Sequence, residues 1–205
     1  MTICLITDRR RFANPIPDLL TQAARAVEAG VDLIQVRERD LDAAALVSLT
    51  RSICDLARGS ATSVVVNDRI DVALAVDADG VHLRGDSIPT AAARTLMPPP
   101  VKIGRSIHSA SEAGDAADYL IAGSVFPTAS KAADTRWLGV DGLRTITSRA
   151  KSPVLAVGGL TLDRLHEIAG AGAAGIAAIG LFCCSDLRSL IAEVRARFDT
   201  VKSAS

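Results

Sequence analysis

The sequence has no excess of either charge: 23 Lys plus Arg stand against 23 Asp plus Glu in 205 residues. That balance gives no general affinity for nucleic acid or for a membrane surface. Cysteine is sparse, and Cys4, Cys54, Cys183 and Cys184 have neither metal-site spacing nor a disulfide framework. Reduced thiols and a cytoplasmic location are therefore expected, with Cys183 and Cys184 filling a helix start. No apolar run is long enough to span a bilayer. The N-terminus reads as a strand with charge close behind it, not as a basic segment leading an apolar core, so no signal peptide is expected. A G-x-G-x-x-G after the first strand is also missing, which weakens a dinucleotide-binding sheet.

The chain does contain a repeated β-α-β unit. Val64, Val65 and Val66 are β-branched without alternation, the mark of a strand covered on both faces. Asp71 to Val76 reads as a brief amphipathic helix, and Ala78-Asp79-Gly80 turns into a second strand, Val81 to Leu83. Further strand candidates lie near Ile3 to Ile6, Leu33 to Val36, Val101 to Gly104, Tyr119 to Ala122, Pro153 to Val157 and Gly175 to Ile179. Eight strands alternating with helical stretches predict an α/β protein, a parallel (β/α)8 TIM barrel with its functional groups at the strand C-termini. An open doubly wound sheet is the runner-up. One domain over residues 1–205 is expected, with a frayed polar tail from about residue 200.

Polar side chains at the strand ends are the candidates for chemistry. Thr7, Asp8 and Arg9 end the first strand, and IQVRERD ends the second. Strand alternation sends Gln35, Arg37 and Arg39 one way and Glu38 the other, so two guanidinium groups could form an anion site; surface pairing with Glu38 and Asp40 is the plainer alternative. Asn67 and Asp68 end the third strand. They could bind a polar heterocycle or, through Asp68, magnesium, or one of them could cap the next helix. His82, flanked by Val81 and Leu83, reads as an internal hydrogen-bonding residue. The run IGRSIHSASEA places Ser106 and His108 before a helix expected near Ser109, where Ser109 and Glu112 have capping-box spacing. An imidazole there can move protons near neutral pH. Thr128, Ser130, Lys131 and Arg136 lie on a long connection of the kind used as a lid or ligand clamp. Gly158-Gly159 and Ile179-Gly180, at the last two strand ends, let backbone amides approach a phosphate.

Taken together, LITDRR, QVRERD, NDRIDVALAVDADGVHL, IGRSIHS, DYLIAGSVFPTASK and PVLAVGGLTLDRLHEIAGAGAAGIAAIG resemble the thiamine phosphate synthase and TenI superfamily over nearly the whole chain. The resemblance implies a thiazole-phosphate pocket and one of two activities. In the synthase, which joins a pyrimidine diphosphate to the thiazole phosphate, it implies diphosphate contacts at Gln35, Arg37 and Asn67 and magnesium on Asp68. This chain departs from that pattern at two places. Arg39 stands where a Lys is usual, and Arg84-Gly85-Asp86-Ser87 replaces a Gly-Gln stretch ending in a second magnesium carboxylate, with Ser87 at the carboxylate position. In the TenI-like branch the reaction is a metal-free aromatisation of a carboxythiazole phosphate, and the resemblance implies His108 as general acid and base.

The leading expectation is therefore a thiazole tautomerase without a cofactor, in which Gly158, Gly159, Ile179, Gly180, Thr128, Ser130 and Lys131 hold the substrate phosphate. A magnesium-dependent synthase is the alternative, and a non-catalytic thiazole-phosphate binder is the third reading. A homodimer is compatible with the resemblance, although no stripe in the sequence marks an interface.

Overall fold

Eight parallel strands close into a barrel in chain order. They are β1 Thr2–Ile6, β2 Leu33–Val36, β3 Ser63–Asn67, β4 Gly80–Leu83, β5 Lys102–Ile107, β6 Tyr119–Gly123, β7 Val154–Val157 and β8 Gly175–Ala178, with β8 pairing back onto β1. The protein is seen as a computed structural model that describes residues 1–128 and 137–202. Helices α1 Pro15–Glu28, α2 Ala43–Ala57, α3 Ile70–Ala75, α4 Thr90–Leu96, α5 Gly139–Arg149, α6 Leu165–Gly170 and α7 Leu187–Lys202 return the chain along the outside. The closed ring settles the choice between the barrel and the open sheet. Among the described residues no helix is long and apolar enough to cross a membrane.

Two apolar layers follow from the two faces of each strand. Outward residues such as Ile3, Leu5, Ile34, Val64 and Val66 pack under the helices, while Cys4, Leu33, Val65, Tyr119, Ile121 and Leu155 fill the barrel interior. Helix α1 shows the matching period: its buried residues Leu19, Gln22, Ala23 and Ala26 form one stripe facing the sheet. Inside the barrel, size is balanced between neighbours. Gly104 pairs with Tyr119, and a side chain at Gly104 would collide with the Tyr119 ring.

Three local expectations are corrected. No helix forms near Ser109; β5 runs on to Ile107 and a set of turns follows. Residues 108–118 are fewer than the dozen or so that a helical crossover between parallel strands usually needs. Glu112 still reaches back as a capping box would, accepting from His108 N at 2.7 Å and Ser109 N at 2.8 Å. Cys183 and Cys184 do not start a helix. They are exposed between the short 3-10 turn Gly180–Phe182 and α7, whose first turn is capped by Asp186 accepting from Ser189 N at 3.0 Å. A carboxylate accepts such bonds far better than a thiol. The tail is helical further than expected, with α7 continuing to Lys202 and Thr200 Oγ1 donating to Ala196 O at 2.7 Å within its last turns.

Candidate functional site

Strand alternation builds the site. In β2 the inward position Leu33 is followed at steps of two by Gln35, Arg37 and Arg39; in β3 Val65 is followed by Asn67; in β5 Gly104 is followed by Ser106 and His108. The apolar members lie deeper in the barrel and the polar ones line a cavity of about 540 Å³ at its mouth, together with His82, Arg84, Gly123, Gly158 and Ile179. This is the C-terminal end of the strands, where barrels of this kind place their chemistry.

The β2 run shows how the chain aims its charges. Glu38 points away from the cavity, is buried, and takes the Arg9 guanidinium at 3.1 Å and the Arg9 backbone N at 3.1 and 3.2 Å. Arg9 also pairs with Asp40 at 2.7 Å, holding that carboxyl at about 2. The carboxylates expected to neutralise Arg37 and Arg39 are thus spent on Arg9. Arg37 is half-buried, and burial followed by its neighbour Arg39 pushes its pKa down, the signature of cations held without a matching anion. Thr7 Oγ1 fixes the run by accepting from Arg37 N at 2.9 Å. On the cavity floor Gln35 is buried and its Nε2 has no hydrogen-bond partner among the described residues. An orphaned amide facing a cavity calls for an acceptor on a ligand.

Next to this wall stand Asn67 and Asp68. Neither caps α3, whose first turn has no side-chain cap. Asp68 lies in a side recess of about 150 Å³ shared with Arg39, Arg69 and Arg84, with φ of 67°. Its Oδ1 accepts a hydrogen bond from Ser87 Oγ, and its Oδ2 is 3.7 Å from the Arg84 guanidinium. Among the described residues no group of three His, Cys, Asp or Glu side chains is placed to hold a metal. Magnesium takes one or two carboxylates and completes its shell with substrate phosphate; here the one carboxylate already faces a guanidinium at 3.7 Å, so its charge is balanced without a cation and the recess fits magnesium poorly.

Two histidines flank the same side. His82 is 1% exposed, its Nδ1 3.3 Å from Tyr119 Oη and its Nε2 2.9 Å from Ser106 Oγ. Burial, with a smaller push from Arg105, lowers its pKa to about 3, so it is neutral at every ordinary pH. His108 is exposed at the rim, and its Nδ1 bonds Gly123 O. A carbonyl can only accept, so Nδ1 donates this bond, and Nε2 has no partner among the described residues; in the neutral ring it is Nε2 that carries the lone pair.

Across the mouth, the connections after β6 and β7 interlock. Val125 N donates to Val157 O at 2.8 Å and Phe126 N to Gly158 O at 3.1 Å, while Arg164 lies over the Phe126 ring at 4.3 Å and donates to Gly159 O at 2.8 Å. Gly158 and Gly159 have φ of +100° and +63°, and a side chain on either would strike Ser124 or the Phe126-Pro127 backbone. Their first requirement is therefore this close loop contact.

Of the residues singled out from sequence, Gln35, Arg37, Arg39, Asn67, Ser106, His108, Gly158 and Ile179 line the one cavity. Asp68 lies in the recess beside it, and Thr128, Gly159 and Gly180 are not part of the lining. Ser130, Lys131 and Arg136 fall outside the described residues. Sequence reasoning missed Arg84 and Glu112 as cavity residues. Arg84 continues the inward parity of His82, a signal that was available; Glu112 arrives only because the expected helix does not form.

A closed parallel barrel with an arginine-lined mouth defines an enzyme scaffold for anionic small molecules. Residues 3–182 match the family described as thiamine monophosphate synthase, and the chain belongs to that family. It is 37% identical over 200 residues to the thiamine-phosphate synthase of Pyrococcus furiosus, covering 95% of this chain and 93% of that one. It is 40% identical over 158 residues to that of Moorella thermoacetica, covering 75% of each. The solved thiamine phosphate pyrophosphorylase from Pyrococcus furiosus superposes with a TM-score of 0.84 at 36% identity, covering 98% of this chain and 96% of that one. A 3-hexulose-6-phosphate synthase, at 18% identity and a TM-score of 0.70, shares the fold alone. The superfamily resemblance is thus confirmed, while the relatives' names favour the synthase reading over the tautomerase that leads from sequence.

Proposed function

We propose that this chain is a thiamine-phosphate synthase that joins a pyrimidine diphosphate to a thiazole phosphate. One observation carries the reading: two different anion seats face one cavity from opposite walls. The first, on β2 to β4, consists of Arg37, Arg39 and Arg84 with the amides of Gln35 and Asn67. The second is lined by Gly158 and Ile179 at the ends of β7 and β8, to which the sequence adds Gly159, Gly180, Thr128, Ser130 and Lys131. A reaction between two anionic partners needs both; a single phosphate would leave the arginine wall without a task. The names of the relatives point the same way.

In this reaction the thiazole nitrogen lone pair forms the new C–N bond to the pyrimidine methylene carbon. The C–O bond to the diphosphate breaks and pyrophosphate leaves with the bonding electrons. No proton has to move. The protein's task is to hold the two rings in line and to stabilise charge growing on the leaving group, which the guanidiniums and the free Gln35 amide are placed to do.

A second reading, the tautomerase, is favoured by the His108 imidazole: its Nδ1 proton is pinned on Gly123 O, leaving the Nε2 lone pair for proton abstraction from a ring carbon. The two readings separate cleanly in a His108→Asn protein. As a synthase, the native chain makes thiamine phosphate from the two substrates, and the variant stays within about tenfold of it because no general base is used. Failure to form thiamine phosphate, together with aromatisation of the carboxythiazole tautomer that drops about 10²- to 10⁴-fold in the variant, would replace the synthase by the tautomerase. Tight binding of thiazole phosphate without turnover in either assay would leave a non-catalytic binder.

A further inference from the structure

We propose that Arg84 occupies the role of a divalent cation in the diphosphate seat, so that this mouth takes a pyrophosphate group without magnesium. The inference rests on the synthase reading and specifies how its anion is neutralised. It starts from the disagreement between the recess and a metal. Ser87 Oγ accepts from Arg84 N at 2.9 Å and donates to Asp68, so the hydroxyl standing at the expected second carboxylate position is fully engaged inside the protein. Arg84 reaches toward Asp68 at 3.7 Å and donates to Asp86 at 2.5 Å, so one guanidinium already stands between these two acids.

The surrounding charges agree. The recess brings Arg39, Arg69 and Arg84 around Asp68; Arg69 is paired by two bonds with Asp71 outside it, at 2.5 and 2.8 Å, and Arg84 by one with the exposed Asp86. Glu38, the other acid of the recess, is held by Arg9. A doubly charged ion entering here meets guanidiniums on several sides, whereas a diphosphate meets complementary charge.

The loop that carries Arg84 is anchored while its side chain is not. Arg105 donates to Gly85 O at 3.1 Å and to Ile88 O at 2.7 Å, and is itself paired with Asp115 at 3.5 Å. The Arg84 side chain is 39% exposed, and it borders both the recess and the main cavity. Its partner Asp86 is 70% exposed, a weak surface hold that a diphosphate can outcompete. A guanidinium offers two parallel donors to phosphate oxygens, which an ammonium does not.

The test is calorimetric titration of the full chain with inorganic pyrophosphate, once with chelator and once with excess magnesium. The expected result is binding in chelator with an affinity within about threefold of that in magnesium, weakened about tenfold or more in Arg84→Gln, a change of at least about 1.4 kcal/mol. Ser87→Asp, which places a second carboxylate beside Asp68, should make binding magnesium-dependent by about tenfold. That variant also decides the matter if Arg84→Gln melts early. Binding by the native chain only with magnesium, or an Arg84→Gln protein that binds as tightly as native in chelator, overturns the inference and leaves the synthase reading standing. No pyrophosphate binding under either condition removes the diphosphate seat itself, and the synthase reading with it.

Discussion

His82 and His108 stand on neighbouring strands of one barrel, yet the protein uses them in opposite ways. His82 has both nitrogens satisfied by Tyr119 and Ser106 and is held neutral by burial. His108 has one nitrogen tied to Gly123 O and offers the other to the mouth. The next-door pair Arg37 and Glu38 repeats the contrast along a single strand end, because Glu38 is consumed by Arg9 while Arg37 lines the cavity. Residue type does not separate scaffold from site here. Depth in the barrel and the number of partners the fold already supplies do.

The contrast breaks most visibly at the offered groups. Arg37→Ala should lower kcat/KM for thiamine phosphate formation about 10²- to 10³-fold, the usual cost of removing a preorganised charge-stabilising donor. Its melting temperature should stay close to that of the native protein, since among the described residues no carboxylate forms an ion pair with the Arg37 side chain. A fall of less than fivefold would mean that Arg37 belongs with the scaffold. At the consumed group the readout reverses. Arg9→Ala strands the buried Glu38 carboxylate and should cost about 3 kcal/mol in chemical denaturation, the order expected when one partner of a buried pair is removed. Arg9→Ala with unchanged denaturation would show that Glu38 finds water or another cation.

Much of this was legible in the sequence, and the misses have physical causes. The eight strands were found because β-branched and aliphatic runs recur at βαβ spacing, and the β2 anion wall because alternation separates Arg37 from Glu38. What alternation cannot say is who pairs with whom across 29 residues: the plainer alternative sets Glu38 and Asp40 against Arg37 and Arg39, whereas both carboxylates pair with Arg9, in the 3-10 turn after β1. The Ser109 to Glu112 capping box was real chemistry in a segment too short to be a helix, since capping bonds are local but crossover length is a property of the barrel. Asp68 is a magnesium candidate in the sequence only under the synthase reading, and only the fold brings Ser87 and Arg84 against it. Gly158 and Gly159 were read as a phosphate approach, and the structure adds the constraint imposed by Ser124, Phe126 and Pro127.

The smallest effect is the sharpest probe of the scaffold histidine. With a folded pKa of about 3 against about 6.5 for the unfolded chain, His82 stays neutral in the native state while its unfolded counterpart gains a proton as the pH falls. The unfolded state therefore binds more protons between these values, and native stability decreases on acidification from about pH 6.5 downward. One proton corresponds to a slope of about 1.4 kcal/mol per pH unit. Between about pH 6 and 4.5 this slope is separable from the loss of carboxylate pairs such as Asp40 with Arg9, because that contribution fades only as the pH falls from the ordinary Asp value of about 3.9 toward the folded value of about 2. His82→Gln keeps one donor and one acceptor without a titrating ring, so it should lower stability at pH 7 yet flatten the dependence over that window, measured by urea denaturation at several pH values. An unchanged slope in the variant would place the acid sensitivity elsewhere and remove His82 from the scaffold side of the comparison.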